Sequence, residues 1–131
     1  SFANDTRSFD SDVPVYRLAE AYLLKAEVEN ALGNTDAALQ NLNVVAKRAY
    51  GVDNYYTART QDAIDNAIIS EILKEFVAES KAWWAYLRFN KEFELIETLK
   101  GREGEKNVTL WHIAPACLNT NPNITQTEGY K

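Results

Sequence analysis

Apolar side chains recur every three or four residues along two neighbouring stretches of the chain, which is the spacing of one face of an α-helix. The first stretch covers residues 15–32, and its predicted apolar stripe is Leu18, Tyr22, Val28 and Leu32. The second covers residues 35–49, and its predicted stripe is Ala38, Leu39, Leu42, Val45 and Ala49. Because only Gly33 and Asn34 separate the two, we expect an antiparallel helical hairpin over residues 15–49.

The helical spacing returns over residues 62–100. We expect one long helix over residues 62–90, with a weak point at Ser80, and a short further helix over residues 91–100. Residues 51–61, between the hairpin and this region, are predicted to form a loop.

The two ends of the chain lack the helical spacing. Residues 1–13 are polar and are predicted to form an arm. In the tail, residues 101–131, the run 108–113 is rich in β-branched and aromatic side chains, which favours a short strand. A length of 131 residues suits one domain. We therefore predict a single all-α domain, residues 1–131, whose tail is largely irregular and packs over the helices.

Composition and charge argue against several classes of protein. The chain has 14 Lys and Arg against 19 Asp and Glu, a net charge of −5, and an acidic chain without a basic run is not expected to bind nucleic acid. No stretch approaches the roughly 20 apolar residues of a membrane span. Cys117 is the only cysteine and His112 the only histidine, so we expect no internal disulfide, no zinc site and no cofactor.

Five glutamates invite a catalytic interpretation, because paired carboxylates can transfer protons: Glu20, Glu27, Glu71, Glu75 and Glu79. Glu71, Glu75 and Glu79 would share one helix face, where they are expected to be solvated or paired with cations. The nearest candidate cations are Lys74, Lys81 and Arg88. His112 has no serine and aspartate at a triad spacing, so we predict no catalytic residue and a chain that is not an enzyme.

Aromatic residues offer the best candidates for ligand contact. Trp83, Trp84 and Tyr86 lie in a predicted helix, where packing in the core is the simpler role. Tyr55 and Tyr56 lie in the predicted loop beside polar residues, where a sugar ring could stack on them, and loops carry function more often than helices. They are the only candidate ligand-binding residues, and no metal-ligating residue is predicted.

The first hairpin resembles a tetratricopeptide unit. Such units place an aromatic residue and a small residue on the first helix, glycine at the turn and alanine on the second helix. The matching residues are Tyr22, Ala26, Gly33, Ala38 and Leu42. The small residues let two helices approach closely.

Four blocks in a fixed order resemble the SusD/RagB family. Residues 17–27 resemble "R-x-A-E-x-x-L-x-x-A-E", and residues 42–49 resemble "L-N-x-V-x-x-R-A". Residues 71–89 are similar to "E-R-x-x-E-L-x-x-E-G-K-R-W-W-D-L-x-R-F". Residues 110–130 are similar to "L-W-P-I-P … N-P-x-L-x-Q-N-P-G-Y". Together the blocks resemble the C-terminal portion of the family only.

The chain departs from these patterns at several positions. Ala82 replaces an arginine and Ala85 an aspartate, so a salt bridge that the family could form there is absent. Ser80 replaces a glycine, and His112 replaces a proline. Loss of both charges together leaves no charge unpaired, which is typical of a divergent member.

The resemblance implies a non-catalytic protein that binds glycans or other nutrients at the surface of the outer membrane. Its implied partner is a SusC-like TonB-dependent porin. The oligosaccharide would be contacted mainly by an N-terminal part outside this chain, and the membrane only through a lipid anchor that is likewise outside it. This chain would then be a C-terminal scaffold. The alternative is a free-standing tetratricopeptide-like module that binds a peptide or protein in a helical groove.

Overall fold

The computed structural model describes residues 15–105 and 107–130, which form two compact units divided between Glu75 and Phe76. The first unit contains α1 (Leu18–Ala31), α2 (Thr35–Tyr50) and α3 (Gln61–Glu75). The second contains α4 (Ala82–Arg88), α5 (Glu92–Leu95), a 3-10 helix (Glu97–Leu99) and α6 (Pro115–Thr120). These ranges contain no β-strand, which confirms the predicted all-α fold. The single-domain organisation stays a prediction, and the predicted arm, residues 1–13, lies outside the described residues.

The predicted hairpin is confirmed, and glycines end both of its helices. Gly33 adopts a left-handed φ of 81°, and its N–H donates to the carbonyl of Asn30 at 3.0 Å. The N–H of Asn34 reaches back to the carbonyl of Glu29 at 2.8 Å, which completes a Schellman motif. Gly51, with φ of 70°, ends α2 in the same conformation.

The buried face of α1 differs from the predicted stripe. Leu23, Ala26 and Asn30 are buried, whereas Leu18, Val28 and Leu32 are 72%, 57% and 69% exposed. At 3.6 residues per turn the two sets lie on nearly opposite sides of the helix. Because α1 carries apolar residues on both sides, periodicity could not indicate which side faces its neighbours. The helix also begins at Leu18, with Arg17 as N-cap, and not at residue 15.

The core of the first unit lies between its three helices. Its buried apolar side chains are Leu23, Ala26, Ala38, Leu39, Leu42, Val45, Ala46, Ile64, Ile68, Ile69 and Ile72. A polar contact also crosses this core, because the Asn30 amide donates to the carbonyl of Gln61 at 2.9 Å and to Asp65 Oδ1 at 2.7 Å. The third helix is thereby held against the hairpin.

The predicted long helix over residues 62–90 is wrong. The chain leaves the helix after Glu75 and starts a new one at Ala82. In between, Ala78 and Ser80 take left-handed φ values of 65° and 59°. A left-handed residue cannot continue a right-handed helix, so the weak point at Ser80 is a complete break.

The second unit is built from short helices and an irregular tail. Phe76, Ala85 and Leu99 are its buried apolar residues among those described. The predicted helix over residues 91–100 divides into α5 and the 3-10 helix. No helix in the described ranges is both long and apolar enough to cross a membrane.

The strand expected over residues 108–113 does not form. Instead, the side chain of Gln126 takes the place of a neighbouring strand, accepting from the N–H of Ile113 at 2.8 Å and donating to its carbonyl at 3.0 Å. Pro115 then occupies the first position of α6, where its missing N–H costs no hydrogen bond.

Candidate functional site

Tyr55 and Tyr56 lie in the loop between α2 and α3, and a buried asparagine fixes that loop. Asn43 Nδ2 donates to the carbonyl of Tyr56 at 2.9 Å, and Asn43 Oδ1 accepts from its N–H at 2.8 Å. These two hydrogen bonds hold the loop backbone at Tyr56 against α2.

A buried carboxylate holds two tyrosine rings of this region. Glu71 on α3 is 1% exposed. Its Oε2 accepts from the hydroxyl of Tyr56 at 2.7 Å and from that of Tyr50 at 3.0 Å. Burial, followed by the hydrogen bond to Glu71, raises the pKa of both phenols above their ordinary value.

The three tyrosines form a compact aromatic cluster, defined here as Tyr50, Tyr55 and Tyr56. The rings of Tyr50 and Tyr55 stack with centroids 4.4 Å apart, and Tyr56 meets Tyr55 nearly at a right angle, at 4.9 Å. The ammonium of Lys74 lies 5.7 Å from the centroid of the Tyr50 ring. Tyr56 is half-buried, while 47% of Tyr55 is exposed. Of the two predicted residues, Tyr55 therefore presents the larger surface to solvent, and its contact with a ligand stays a prediction.

The predicted ion pairing of the glutamates is confirmed for Glu75, but with other partners. Glu75 Oε1 accepts from Arg17 Nη1 at 2.8 Å, and its Oε2 accepts from Arg48. Arg17 Nη2 also donates to the backbone carbonyl of Glu75, at 2.8 Å. Glu79 lies beyond the end of α3, so the three glutamates do not share one helix face.

These carboxylates stabilise the packing of the helices. No group of three or more potential metal ligands occurs among the described residues. Glu75 joins the start of α1 and the end of α2 to the end of α3, and Glu71 orders the tyrosine cluster. Neither arrangement is the facing carboxylate pair of a hydrolase.

The other aromatic candidates lie in the second unit. Trp84 is 60% exposed, contrary to the expectation of a core position, whereas Trp83 and Tyr86 are half-buried. Because adjacent side chains of a helix point about 100° apart, Trp83 and Trp84 cannot face the same side of α4. His112 is exposed, and its ring lies 5.7 Å from that of Tyr130. Cys117 is exposed as well.

Sequence reasoning missed Asn43 and Tyr50, and it was wrong about Glu71. The carboxylate of Glu71 is buried against two phenols, whereas a solvated or cation-paired group was expected. Asn43 stands at the fixed asparagine of the "L-N-x-V-x-x-R-A" block, and Glu71 is the first glutamate of the third block. A polar residue on the buried stripe of a helix was the available signal, because such a residue must find a partner. Tyr50 gave no signal beyond its place at the end of α2.

The first unit is a helical hairpin packed against a third helix, and a polar network joins the three. Comparison with known proteins gives the family: the sequence model of the SusD family matches residues 4–130. The chain therefore belongs to the SusD family. No solved structure matches it.

Named relatives resemble the chain over most of its length. The starch-binding protein SusD of Bacteroides thetaiotaomicron is 30% identical over 129 residues, which is 93% of this chain and 22% of that protein. A SusD-like protein of Formosa agariphila is 26% identical over 128 residues, which is 92% of this chain and 25% of that protein. A second SusD-like protein of that organism is 25% identical over 122 residues. The chain thus spans about a quarter of the length of the relatives it matches.

Proposed function

We propose that this chain is the C-terminal scaffold of a non-catalytic glycan-binding or nutrient-binding protein at the outer-membrane surface. The protein would work with a SusC-like TonB-dependent porin, to which it hands the captured ligand without cleaving it. Family membership supports this role, as does the starch-binding relative from Bacteroides thetaiotaomicron. The membrane attachment would come from a lipid anchor outside this chain.

The observation that carries the scaffold role is the second apolar face of α1. Leu18, Val28 and Leu32 are exposed on the side of α1 opposite its buried residues. A helix that is apolar on both sides is typical of a position between neighbours, and stacked hairpins bury such faces against one another. The hairpin already packs against α3 on its other side. We infer that a further helical hairpin of the longer protein covers the exposed face.

The polar network supports the same role. The family-signature residues Arg17 and Arg48 both bind the carboxylate of Glu75, which joins the three helices. Side chains used in this way hold the scaffold together and are not available for catalysis. Capture and transfer of an intact ligand is the function consistent with them.

The test is purification of the full-length protein that carries this chain from detergent-solubilised outer membranes, with mass spectrometry of what accompanies it. We expect a TonB-dependent β-barrel in near-equal amount, and oligosaccharides incubated with the purified protein should keep their chain length. Shortened oligosaccharides would overturn the non-catalytic role. A protein recovered from the soluble fraction without a barrel would overturn the membrane role.

A groove supports the alternative function, a free-standing module that binds a peptide. The groove has a volume of 260 Å³ and lies between α1 and α2, lined by Arg17, Leu18, Ala19, Tyr22, Val44, Val45 and Arg48. Its apolar floor suits one face of an amphipathic helix, while its two arginines are already paired with Glu75. Under this alternative, the same purification would yield a soluble protein bound to a peptide-bearing partner.

A further inference from the structure

The loop between α2 and α3 presents an aromatic surface that a scaffold role does not need. Tyr55 stacks on Tyr50, and nearly half of it is exposed. We propose that the Tyr50–Tyr55 pair is a binding site for a neutral pyranose oligosaccharide. The carbon–hydrogen face of a sugar ring would lie on Tyr55, as apolar surface on an aromatic ring. The choice of ligand class rests on the proposed function.

The surface is ordered in advance. Asn43 fixes the backbone of Tyr56 through two hydrogen bonds, and the hydroxyl of Tyr56 is bound to Glu71. Tyr55 is therefore held between a fixed neighbour in sequence and the stacked ring of Tyr50. Binding to such a preorganised ring loses little side-chain freedom, which is the main cost of recruiting a flexible aromatic residue.

The buried polar contacts beneath the Tyr50–Tyr55 pair do more than fill space. A buried carboxylate is costly unless hydrogen bonds compensate it. Glu71 is 1% exposed and receives two phenolic hydroxyls. An apolar residue at Glu71 could fill the same volume, but it could not fix the rotation of Tyr50 and Tyr56. Glu71 thus orients the rings of Tyr50 and Tyr56. The exposed ring of Tyr55 stacks on the first and meets the second edge-on.

The charges around the pair favour a neutral ligand. Lys47 and Asp53 neutralise each other through an ion pair of 2.6 Å at the start of the loop. Lys74 lies over the Tyr50 ring, while the carboxylate of Glu71 receives the two hydroxyls. Within residues 15–105 and 107–130, these charges therefore form no uncompensated cluster of one sign that would face an acidic sugar. The amide of Asn54, which is exposed beside Tyr55, can donate to and accept from sugar hydroxyls.

The test is a nuclear magnetic resonance titration of the 131-residue chain with maltoheptaose, laminarihexaose and xylohexaose, each up to about 10 mM because a single stacking site is expected to be weak. A trigalacturonate is the anionic comparison. The variants are Tyr55→Ala, Tyr55→Phe and Tyr16→Ala. Tyr16 is the matched control, since it is 77% exposed in the same unit but lies outside the cluster.

We expect at least one neutral probe to bind. Tyr55→Ala should weaken its affinity at least about tenfold, whereas Tyr55→Phe and Tyr16→Ala should leave the affinity within about twofold. Nuclear Overhauser contacts between sugar protons and the Tyr55 ring in the unmodified chain give the same answer if Tyr55→Ala disturbs the fold. Equal binding by a folded Tyr55→Ala, or sugar contacts elsewhere, would overturn this site. Absence of binding by all neutral probes would also overturn it, while the purification test of the proposed function would be unaffected.

Discussion

Arg17 donates two hydrogen bonds to Glu75, from Nη1 to the carboxylate and from Nη2 to the backbone carbonyl, each 2.8 Å long. The side chain of Glu75 is only 9% exposed. One residue before α1 is thus bound to the last residue of α3, although 58 positions separate them in the sequence. This contact therefore ties the beginning of the first unit to its end.

The Arg17–Glu75 pair should therefore be energetically coupled. Because the pair is part-buried and charge-assisted, Arg17→Met and Glu75→Gln should each lower the free energy of unfolding by about 1.5–3 kcal/mol. The free energy of unfolding lost in the double variant should be smaller than the sum of the two single losses, by at least about 1 kcal/mol. Urea unfolding of the four proteins measures the coupling.

A surface ion pair gives the matched control for this cycle. Arg59 and Asp36 also form an ion pair, but their side chains are 69% and 89% exposed. Their coupling should stay below about 0.5 kcal/mol, because solvent screens exposed charges. Equal coupling in both cycles would contradict the structural role given to Glu75.

The tyrosine cluster should make the stability depend on alkaline pH. The pKa values of Tyr50 and Tyr56 are raised, so above about pH 10 the folded chain keeps protons that the unfolded chain has released. The folded state then binds more protons, and the free energy of unfolding must fall as the pH rises. Below about pH 10 this contribution is fully present.

Absorbance at 295 nm follows the ionisation of the tyrosines directly. We expect Tyr50 and Tyr56 to ionise at a higher pH in the folded chain than in the unfolded chain, because their pKa values are raised. Glu71→Gln should bring them to lower pH, because it removes the negative charge beside both hydroxyls. A single common titration that Glu71→Gln leaves unchanged would contradict the cluster.

Replacement of Ser80 by glycine should stabilise the folded chain. The Ser80 φ of 59° is a conformation that glycine adopts without strain, and the family block carries glycine at this position. Ser80→Gly should raise the free energy of unfolding by about 1 kcal/mol. As a control, Ala82→Gly, at the first position of α4, should lower it by about 0.5–1 kcal/mol. Thermal unfolding compares the two, and a destabilised Ser80→Gly would argue against the left-handed turn.

Gln126 should hold the tail through both ends of its amide. Gln126→Ala removes both hydrogen bonds to Ile113, and Gln126→Glu keeps an acceptor for the N–H but places a carboxylate against the carbonyl. We expect both variants to speed amide exchange at Ile113 by about tenfold, the equivalent of about 1.4 kcal/mol. Thr127, which donates to the carbonyl of Trp111, offers the comparison: Thr127→Val should leave exchange at Ile113 nearly unchanged.

The sequence predicted the hairpin well because local chemistry determines it. Gly33 and Gly51 both take the left-handed conformation that ends a helix. The preference of glycine for this conformation does not depend on what packs against the helix. The buried face of α1 could not be predicted, because apolar residues on both of its sides satisfy the same period. Only the position of α2 and α3 decides that Leu23 is buried and Leu18 is exposed.

The candidate site was predictable only in part. The loop position and exposure of Tyr55 follow from the polar residues beside it. The role of Tyr56 does not, because it depends on Glu71, fifteen residues away, and on Asn43, thirteen residues away. The expected strand over residues 108–113 failed for a similar reason. A segment with high strand propensity forms no β-ladder unless a second strand lies beside it. Here Gln126 supplies the two hydrogen bonds to Ile113 instead.

The most direct measurement of the scaffold claim is the labelling rate of a cysteine at Val28 by a maleimide, with Cys117→Ser as background. Val52→Cys is the matched control, since Val52 is 50% exposed and Val28 57%. In the 131-residue chain both cysteines should react quickly. In the full-length protein we expect Val28→Cys to react at least about tenfold more slowly, because burial protects a thiol, while Val52→Cys stays fast. Equal rates for Val28→Cys in the two proteins would contradict the account.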